Sequence, residues 1–309
     1  MENLASVRRP PKITMKSDYM KSFERNIGVI SEHEQQIVKN ATVAIAGLGG
    51  IGGVTVSILA RMGFTRFRIA DIDRFEIQNL NRQAASSHSV LGKKKVDVIR
   101  KMIMDINPEA EITCFYEGVQ PENVDRFLEK TDIVVDAIDF FCFNARNTLQ
   151  LACEKLSIPV AFSAPLGMTA TFILFGPGSM GYREYFDFRD EQDAFDKLIR
   201  FSVGIAPSAL HRKHIDFDPK KLIELETGPS LAPAVHLGGA VIATEILKQL
   251  TKRGTSCMAP EYLQIDLFKG RMVKRKLLYG NRGPLQRMKI RVASYRYGKY
   301  KPRILSFIH

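Results

Sequence analysis

Four closely spaced glycines could hold a phosphate group. They are Gly47, Gly49, Gly50 and Gly52. A short apolar run with β-branched residues, 41–46, precedes them, and a helix-like stretch, 54–62, comes after them. Residues without Cβ let the backbone approach a phosphate, and a helix start supplies free N–H groups and a positive dipole end. The pattern is typical of NAD, FAD, S-adenosylmethionine or ATP sites, and also of a tight turn that binds no ligand.

An acidic residue lies at the distance expected for a ribose contact. Asp71 ends the second predicted strand, 67–70, and lies nineteen residues after Gly52. In nucleotide-binding βαβ units, an acidic residue at this place accepts hydrogen bonds from ribose hydroxyls. This feature suits NAD and ATP equally.

Further polar groups favour ATP over NAD. The candidates are Asn79, Arg82, Gln83, Lys95 and Asp139. A nicotinamide ring needs a flat, mostly apolar slot, and hydride transfer needs no such group of side chains. Cleavage of a triphosphate does need cations that neutralise developing charge and a carboxylate that holds Mg²⁺. We expect Lys93 and Lys94 to be solvated, and Asp136 to matter less than Asp139.

The elements that must position these side chains alternate between strand and helix. Strands are predicted over 41–46, 67–70, 111–116, 132–139, 159–163 and 169–175. Helices are predicted over 31–39, 54–62, 94–106, 123–128, 144–156 and 234–250. This alternation predicts an α/β fold with a doubly wound, mainly parallel, Rossmann-like sheet. A hairpin over 261–278, with its turn at Lys269 and Gly270, predicts a C-terminal β extension.

Composition divides the chain into three parts. Residues 1–21 are expected to form a flexible arm, 22–278 the nucleotide-binding domain, and 279–309 a basic tail. The net charge is +12, and 271–309 contains twelve Lys and Arg residues without Asp or Glu. Tyrosines lie between these cations, which suits RNA or an anionic membrane surface, although the tail could equally be a solvated extension or dock on its own domain. With no apolar stretch of ~18 residues and no apolar N-terminal core, we expect neither a membrane span nor a secretory signal.

The four cysteines form no C-x-x-C pair, so neither a structural zinc nor a disulfide framework is expected. A reducing cytoplasm is the simplest location.

Together the motifs resemble a known family. G-x-G-G-x-G, D-x-D-x5-N-x2-R-Q, G-x2-K and D-x2-D occur in that order. They are similar to those of the ThiF/MoeB/HesA adenylyltransferases, whose fold is shared with ubiquitin-activating enzymes and with tRNA threonylcarbamoyladenosine dehydratase. The resemblance covers 23–175 and returns at 234–250. It implies attack of a substrate carboxylate on the α-phosphorus of ATP, giving an acyl-adenylate and pyrophosphate.

The resemblance also implies a role for each site residue. The glycine loop lines the nucleotide, Asp71 binds the ribose, and Asp139 coordinates Mg²⁺. The triphosphate contacts are Asn79, Arg82 and Lys95, with Gln83 beside them. Arg25 matches an arginine that reaches into the partner's ATP site in family dimers, so a homodimer is expected.

Departures from the family pattern bear on the fate of the adenylate. Residues 176–233, expected to cross the active-site face, contain no cysteine, and Cys257 lies beyond them as an expected incidental thiol. Cys142, among phenylalanines, is expected to be a buried small hydrophobe. Many relatives have Asn where Phe140 stands. The Arg-Asn pair that follows, beginning at Arg146, also lies further along the chain than in those relatives. Adenylation without a thioester step is therefore expected.

The acceptor is left open by the sequence. It would be the C-terminal glycine of a ubiquitin-like or sulfur-carrier protein, or a carboxyl group on a small molecule or tRNA. Alternatives are a dehydratase-like activity on tRNA, an NAD-dependent oxidoreductase and a non-catalytic nucleotide-binding partner protein. The group His211, His214, Asp216 and Asp218 is expected to be a polar loop rather than a metal site. We expect His236 to lie in the core or an interface.

Overall fold

The computed structural model describes residues 18–213, residue 215 and residues 229–306. Their centre is one eight-stranded sheet with the order β3-β2-β1-β4-β5-β6-β7-β8. The strands are β1 (Thr42–Ala46), β2 (Arg66–Ala70), β3 (Glu111–Phe115), β4 (Ile133–Asp136), β5 (Val160–Leu166), β6 (Thr169–Phe175), β7 (Glu261–Asp266) and β8 (Arg271–Lys276). The first five are parallel and the last three antiparallel, so the predicted doubly wound, mainly parallel sheet is confirmed.

Helices cover both faces of this sheet. They are α1 (Tyr19–Ser22), α2 (Glu32–Asn40), α3 (Gly50–Arg61), α4 (Lys95–Ile106), α5 (Val124–Leu128), α6 (Phe143–Lys155), α7 (Tyr182–Phe186), α8 (Ala194–Gly204), α9 (Ala232–Thr251), α10 (Pro284–Tyr297) and α11 (Lys301–Leu305). In β1, Val43 and Ile45 belong to the core under α3, α4 and α9, whereas Ala44 and Ala46 belong to the core under α5, α6 and α8. A parallel strand buried on both faces explains the unbroken apolar run of the sequence.

The region expected to cross the active-site face holds more structure than the sequence indicated. The sequence predicts one helix there, over 192–201, whereas the described part contains two, α7 and α8. Their aromatic side chains enter the core on the α6 side of the sheet. Phe186 and Phe201, for example, are fully buried and pack with ring centroids 5.0 Å apart. These contacts fix the segment against the sheet.

The C-terminal part folds onto the same body. The predicted hairpin forms β7 and β8, and β7 pairs with β6, so the hairpin extends the central sheet. The basic tail forms α10 and α11, which both contact α8, and Ile290 and Ile304 are buried there. The described part of the tail thus docks on the chain's own domain, which is one of the possibilities that the sequence left open, and contact with RNA or a membrane stays a prediction.

At the other end, Tyr19 is buried and donates a hydrogen bond to the Gly63 carbonyl at 2.7 Å. The last residues of the predicted arm are therefore helical and docked, while 1–17 lie outside the described residues. No helix among the described residues has both the length and the apolar character that crossing a bilayer requires.

Candidate functional site

The glycine loop lies at the place where the sheet changes winding direction. From β1 the chain passes to β2 on one side, and β4 pairs with β1 on the other. Gly47 has φ of +89°, and a Cβ there would meet the Ala137 carbonyl oxygen at 2.2 Å. A Cβ on Gly52 would lie 1.8 Å from the Gly47 oxygen. Only glycine fits at these two positions, and the crevice at such a switch point is where open α/β sheets bind ligands.

Asp71 joins the end of β2 to the glycine loop. Its Oδ2 accepts a hydrogen bond from the Leu48 amide at 2.6 Å, and its Oδ1 accepts one from the Asp73 amide at 2.8 Å. Burial raises the pKa of Asp71, and the Lys95 ammonium acts in the opposite direction. Each carboxylate oxygen keeps a further lone pair, which a ribose hydroxyl can use.

Lys95 brings a cation to the same edge of the sheet. It begins α4, its side chain is only 6% exposed, and its Nζ lies 2.8 Å from Asp73 Oδ2. The Lys95 amide also donates to the Asp73 carbonyl at 2.9 Å, which fixes the start of the helix. Lys93 and Lys94 are exposed, as predicted. The structure therefore separates one site lysine from two solvated neighbours.

Gln83 presents an unsatisfied acceptor beside the glycine loop. It is buried, and a Cβ built on Gly49 would lie 3.5 Å from its Nε2. Its Oε1 is buried without a hydrogen-bond partner among the described residues. Asn79 is also buried, but its Oδ1 accepts from the Glu76 amide at 2.9 Å and so caps its own turn. Of these two predicted nucleotide contacts, Gln83 has the freer polar atom.

Arg82 is half-buried at the mouth of this region. Its Nη1 donates to the Gln78 carbonyl at 3.1 Å and to Asn81 Oδ1 at 3.0 Å. Asn81 in turn donates to the Ser230 carbonyl at 3.0 Å, which ties this loop to the segment before α9. The remaining guanidinium donors of Arg82 have no recorded partner in the described chain and can contact a phosphate.

A buried ion pair underlies the loop that carries Asp139. Asp136, at the end of β4, is fully buried, and Arg146 Nε donates to its Oδ2 at 3.1 Å and to its Oδ1 at 3.3 Å. Gln150 donates to the same carboxylate at 2.9 Å. Arg146 Nη2 donates to the carbonyls of Ile138 and Asp139. Strand β4 ends at Asp136 rather than at Asp139 as predicted, because these bonds draw the chain into a turn.

Asp139 itself is exposed on this turn, and its Oδ1 accepts from the Phe141 amide at 3.1 Å. Cys142 is half-buried, and the pKa of its thiol depends on the charges around Asp139. Burial raises the pKa of the Cys142 thiol, and the carboxylates of Asp139, Asp73 and Asp71 raise it further, against the lowering effect of Arg146. The three carboxylates, which lie on the connections after β2 and β4, therefore all act on this thiol.

Carboxylates on the connections after β2 and β4 suit a magnesium ion that is held together with phosphates. No His, Cys, Asp or Glu group in the described part of the chain is arranged as a complete metal site. Mg²⁺ usually keeps several waters and takes one or two carboxylates plus substrate phosphates. Asp139 fits that mode, because it is exposed on the turn after β4, the strand that pairs with β1.

Arg25 is not brought to its own chain's glycine loop. It is exposed on a 3₁₀ turn, Glu24–Asn26, whose Asn26 donates to the Met62 carbonyl at 3.1 Å. Met62 comes after the C-terminal end of α3, whereas the glycine loop is at the N-terminal end, ~18 Å away for a twelve-residue helix. The predicted contact of Arg25 with a partner's site stays a prediction.

The remaining candidates carry no chemistry at this place. Cys257 is buried, and burial raises its pKa to about 12, as expected of an incidental thiol. His236 is exposed near the start of α9, so its predicted place in the core is wrong, and an interface role stays a prediction. Of the predicted polar loop, His211 is described, and the other members lie outside the described residues. They are His214, Asp216 and Asp218.

Sequence reasoning did not find the Asp136–Arg146–Gln150 network. The available signal was a strand that ends in Asp and a helix with Arg and Gln four residues apart, which places both side chains on one face.

Comparison with known proteins adds the family. The sequence model of the ThiF family matches residues 23–283. The tRNA threonylcarbamoyladenosine dehydratase of Bacillus subtilis (strain 168) is 36% identical over 142 residues, which are 46% of this chain and 55% of that protein. Protein HesA, vegetative, of Trichormus variabilis is 30% identical over 168 residues, which are 54% and 63% of the two chains. The match thus spans just over half to under two thirds of the length of these relatives.

Among solved structures, E. coli MccB with ATP has a TM-score of 0.59 at 24% identity. The superposition covers 79% of this chain and 66% of that one. This likeness shows a shared fold.

Proposed function

The chain belongs to the ThiF family, and we propose that it uses ATP and Mg²⁺ to activate a carboxylate as an acyl-adenylate. The observation that carries the proposal is the link from the glycine loop through Asp71 to Lys95. Asp71 binds the Leu48 amide at 2.6 Å, and Lys95 lies 2.8 Å from the neighbouring Asp73. A cation and carboxylates beside a phosphate loop suit triphosphate cleavage better than hydride transfer.

Each residue has one task in this proposal. The glycine loop and the N-terminus of α3 bind the phosphates, Asp71 the ribose, and Gln83 offers its free Oε1. Lys95 and Arg82 neutralise charge that develops on the phosphates, with Asn79 shaping the turn between them. Asp139 would hold Mg²⁺, which when bound supplies further neutralisation of phosphate charge.

We propose that the adenylate passes to its next partner without an enzyme thioester. Burial raises the pKa of both Cys142 and Cys257, which disfavours the thiolate that such a step needs. Residues 176–233 contain no cysteine. The free cysteines also support the expected cytoplasmic location.

The acceptor is proposed to be the C-terminal glycine of a ubiquitin-like carrier protein, or a carboxyl group on a small molecule or tRNA. A dehydratase-like reaction on tRNA is the second candidate. It is favoured by the 36% identity to a protein named for that activity.

Pyrophosphate exchange into ATP, measured with each acceptor class, tests the activity. We expect exchange with one class, and its loss in Lys95→Met and in Asp139→Asn. Lys93→Met and Asp125→Asn, which remove charges from exposed residues, serve as matched controls and should keep full exchange. Exchange that survives in both site variants would refute the assignment. Tight binding of NADH without binding of Mg·ATP, measured by calorimetry, would favour an oxidoreductase.

Mixing two inactive variants tests the homodimer and Arg25. If Arg25 acts in the partner's site, Arg25→Ala and Lys95→Met are each inactive alone, and mixed dimers regain one intact site. Recovery of about a quarter of wild-type exchange per chain is expected from an equal mixture, because half the dimers are mixed and each holds one complete site of two. If the protein is a monomer by light scattering and is fully active, the homodimer and the role of Arg25 are contradicted, but the adenylation activity is not.

A further inference from the structure

Helix α10 lies beyond the family match, and it has two apolar faces. Ile290 is buried against the core, with Ala293 and Tyr297 partly buried beside it. On the other side four apolar side chains are more than half exposed. They are Leu285 at 59%, Met288 at 55%, Val292 at 57% and Tyr295 at 92%. We call these four residues the outer face of α10.

The outer face has the spacing of a helix-pairing surface. Its members succeed one another at intervals of three, four and three residues. At ~100° per residue they occupy an arc of about 80°. A helix that packs on a broad apolar surface has an apolar arc of ~100° or more. The apolar arc of a helix that pairs with one other helix is narrower, and its residues repeat at alternate steps of three and four, as they do here.

Cations border this face, and no acid balances them. Arg291 lies along one border and Arg296 along the other, while Arg287 lies further round the helix beyond Arg291; all three are exposed. No carboxylate contact is recorded for Arg287 or Arg291 in the part of the chain that the structure describes, and Arg296 stacks on Tyr297 at 6.0 Å. From Arg271 to the end of the chain the sequence contains no Asp or Glu.

We propose that the outer face of α10 docks an amphipathic helix of another protein, with apolar side chains at its seam and Glu or Asp along its borders. Opposite charges at the borders of paired helices select the partner. A second copy of α10 fits poorly because its arginines would face those of the first. An arc this narrow is a weak membrane anchor, and apolar side chains rather than cations occupy its centre, which disfavours nucleic acid. The proposal is independent of the adenylation activity.

A pair of labelled helical peptides tests this charge complementarity. Both are three heptads long with Leu at the seam; one has Glu and the other Lys at the border positions. Fluorescence anisotropy with the full chain should show binding of the Glu peptide at least ten-fold tighter than of the Lys peptide. Arg291→Glu combined with Arg296→Glu should reverse the preference.

Substitutions at apolar positions distinguish docking on the outer face from a general attraction of the Glu peptide to a basic protein. Val292→Asp should weaken binding of the Glu peptide at least ten-fold, whereas Met104→Asp, an exposed site on α4 across the sheet, should not change it. Circular dichroism confirms that both variants fold.

Several outcomes would overturn the proposal. One is equal binding of both peptides, and another is binding that Val292→Asp leaves unchanged. A wild-type dimer that Val292→Asp dissociates would assign the face to a second copy. Binding to phosphatidylserine vesicles or to single-stranded RNA that exceeds binding of the Glu peptide and is lost in Val292→Asp would assign it to those surfaces.

Discussion

Arg146 and Asp136 form a fully buried ion pair that also holds the turn carrying Asp139. The guanidinium donates to both carboxylate oxygens, at 3.1 and 3.3 Å, and to the Asp139 carbonyl at 3.1 Å. It further packs 4.7 Å from the ring centroid of Phe201. The pair therefore connects the aromatic core under α8 to the one predicted magnesium ligand.

Removing one partner of this pair should be severe. Arg146→Met leaves Asp136 as an unpaired buried charge, so the free energy of unfolding should fall by about 3–5 kcal/mol. Urea denaturation measures it. Arg126→Met is the matched control, because it breaks an exposed ion pair with Glu117 of 3.0 Å and should cost no more than about 1 kcal/mol.

A double variant distinguishes stability from positioning. Asp136→Leu with Arg146→Met removes both charges and should recover part of the lost stability. Pyrophosphate exchange should stay low, because no guanidinium then holds the Asp139 carbonyl. Full recovery of exchange would show that the pair only stabilises the fold.

The glycine loop should reject even a methyl group. Gly47→Ala and Gly52→Ala bring Cβ to 2.2 and 1.8 Å from backbone oxygens. We expect each to weaken ATP binding more than ten-fold by calorimetry and to lower the free energy of unfolding by over ~2 kcal/mol. Gly270→Ala is the control for Gly47→Ala, since its φ of +58° is also left-handed but nothing lies within 4 Å. Its cost should stay near about 1 kcal/mol, and similar values for both variants would refute a steric role for Gly47.

Local patterns in the sequence were sufficient to predict much of this fold. Strand β6 has the bounds that its apolar run predicts, Thr169–Phe175. Ser31 and Glu34, whose Ser-x-x-Glu spacing predicts an N-terminal cap, form that reciprocal cap on α2. In both cases the determining contacts lie within a few residues of each other, so spacing alone indicates the structure.

Contacts across the fold could not be predicted in the same way. The sequence shows that the Arg-Asn pair beginning at Arg146 lies further along the chain than in many relatives. Only the packing of α6 on β4 shows that Arg146 is buried against Asp136. The sequence of the tail is basic throughout, yet α10 buries Ile290 on its inner side. For the site, the contact between Asp73 and Lys95 joins the two ends of one connection, between β2 and α4, whereas Arg25 would need a second chain.

Gln83 should matter for ligand binding and not for stability. Its buried Oε1 has no partner among the described residues, so Gln83→Leu, of similar size, removes an unsatisfied acceptor. The free energy of unfolding in urea should be unchanged or higher. Affinity for ATP should fall several-fold if the ligand supplies the missing donor. Gln78→Leu, at an exposed position of the same loop, should leave both quantities unchanged, and a loss of stability in Gln83→Leu with normal ATP affinity would contradict the assignment.

All four thiols should alkylate slowly at neutral pH. Burial raises the pKa of each, to about 12 for Cys257, and only the thiolate reacts. Iodoacetamide labelling and subsequent mass spectrometry should show rates well below that of glutathione at pH ~8, rising through pH ~10. The unfolded chain loses these protons near pH ~8.5. The thiols' contribution to stability is therefore fully present below that pH and is lost as the pH rises towards the folded pKa values. Rapid labelling of Cys142 near pH ~8 would contradict this and restore a thiol nucleophile beside Asp139.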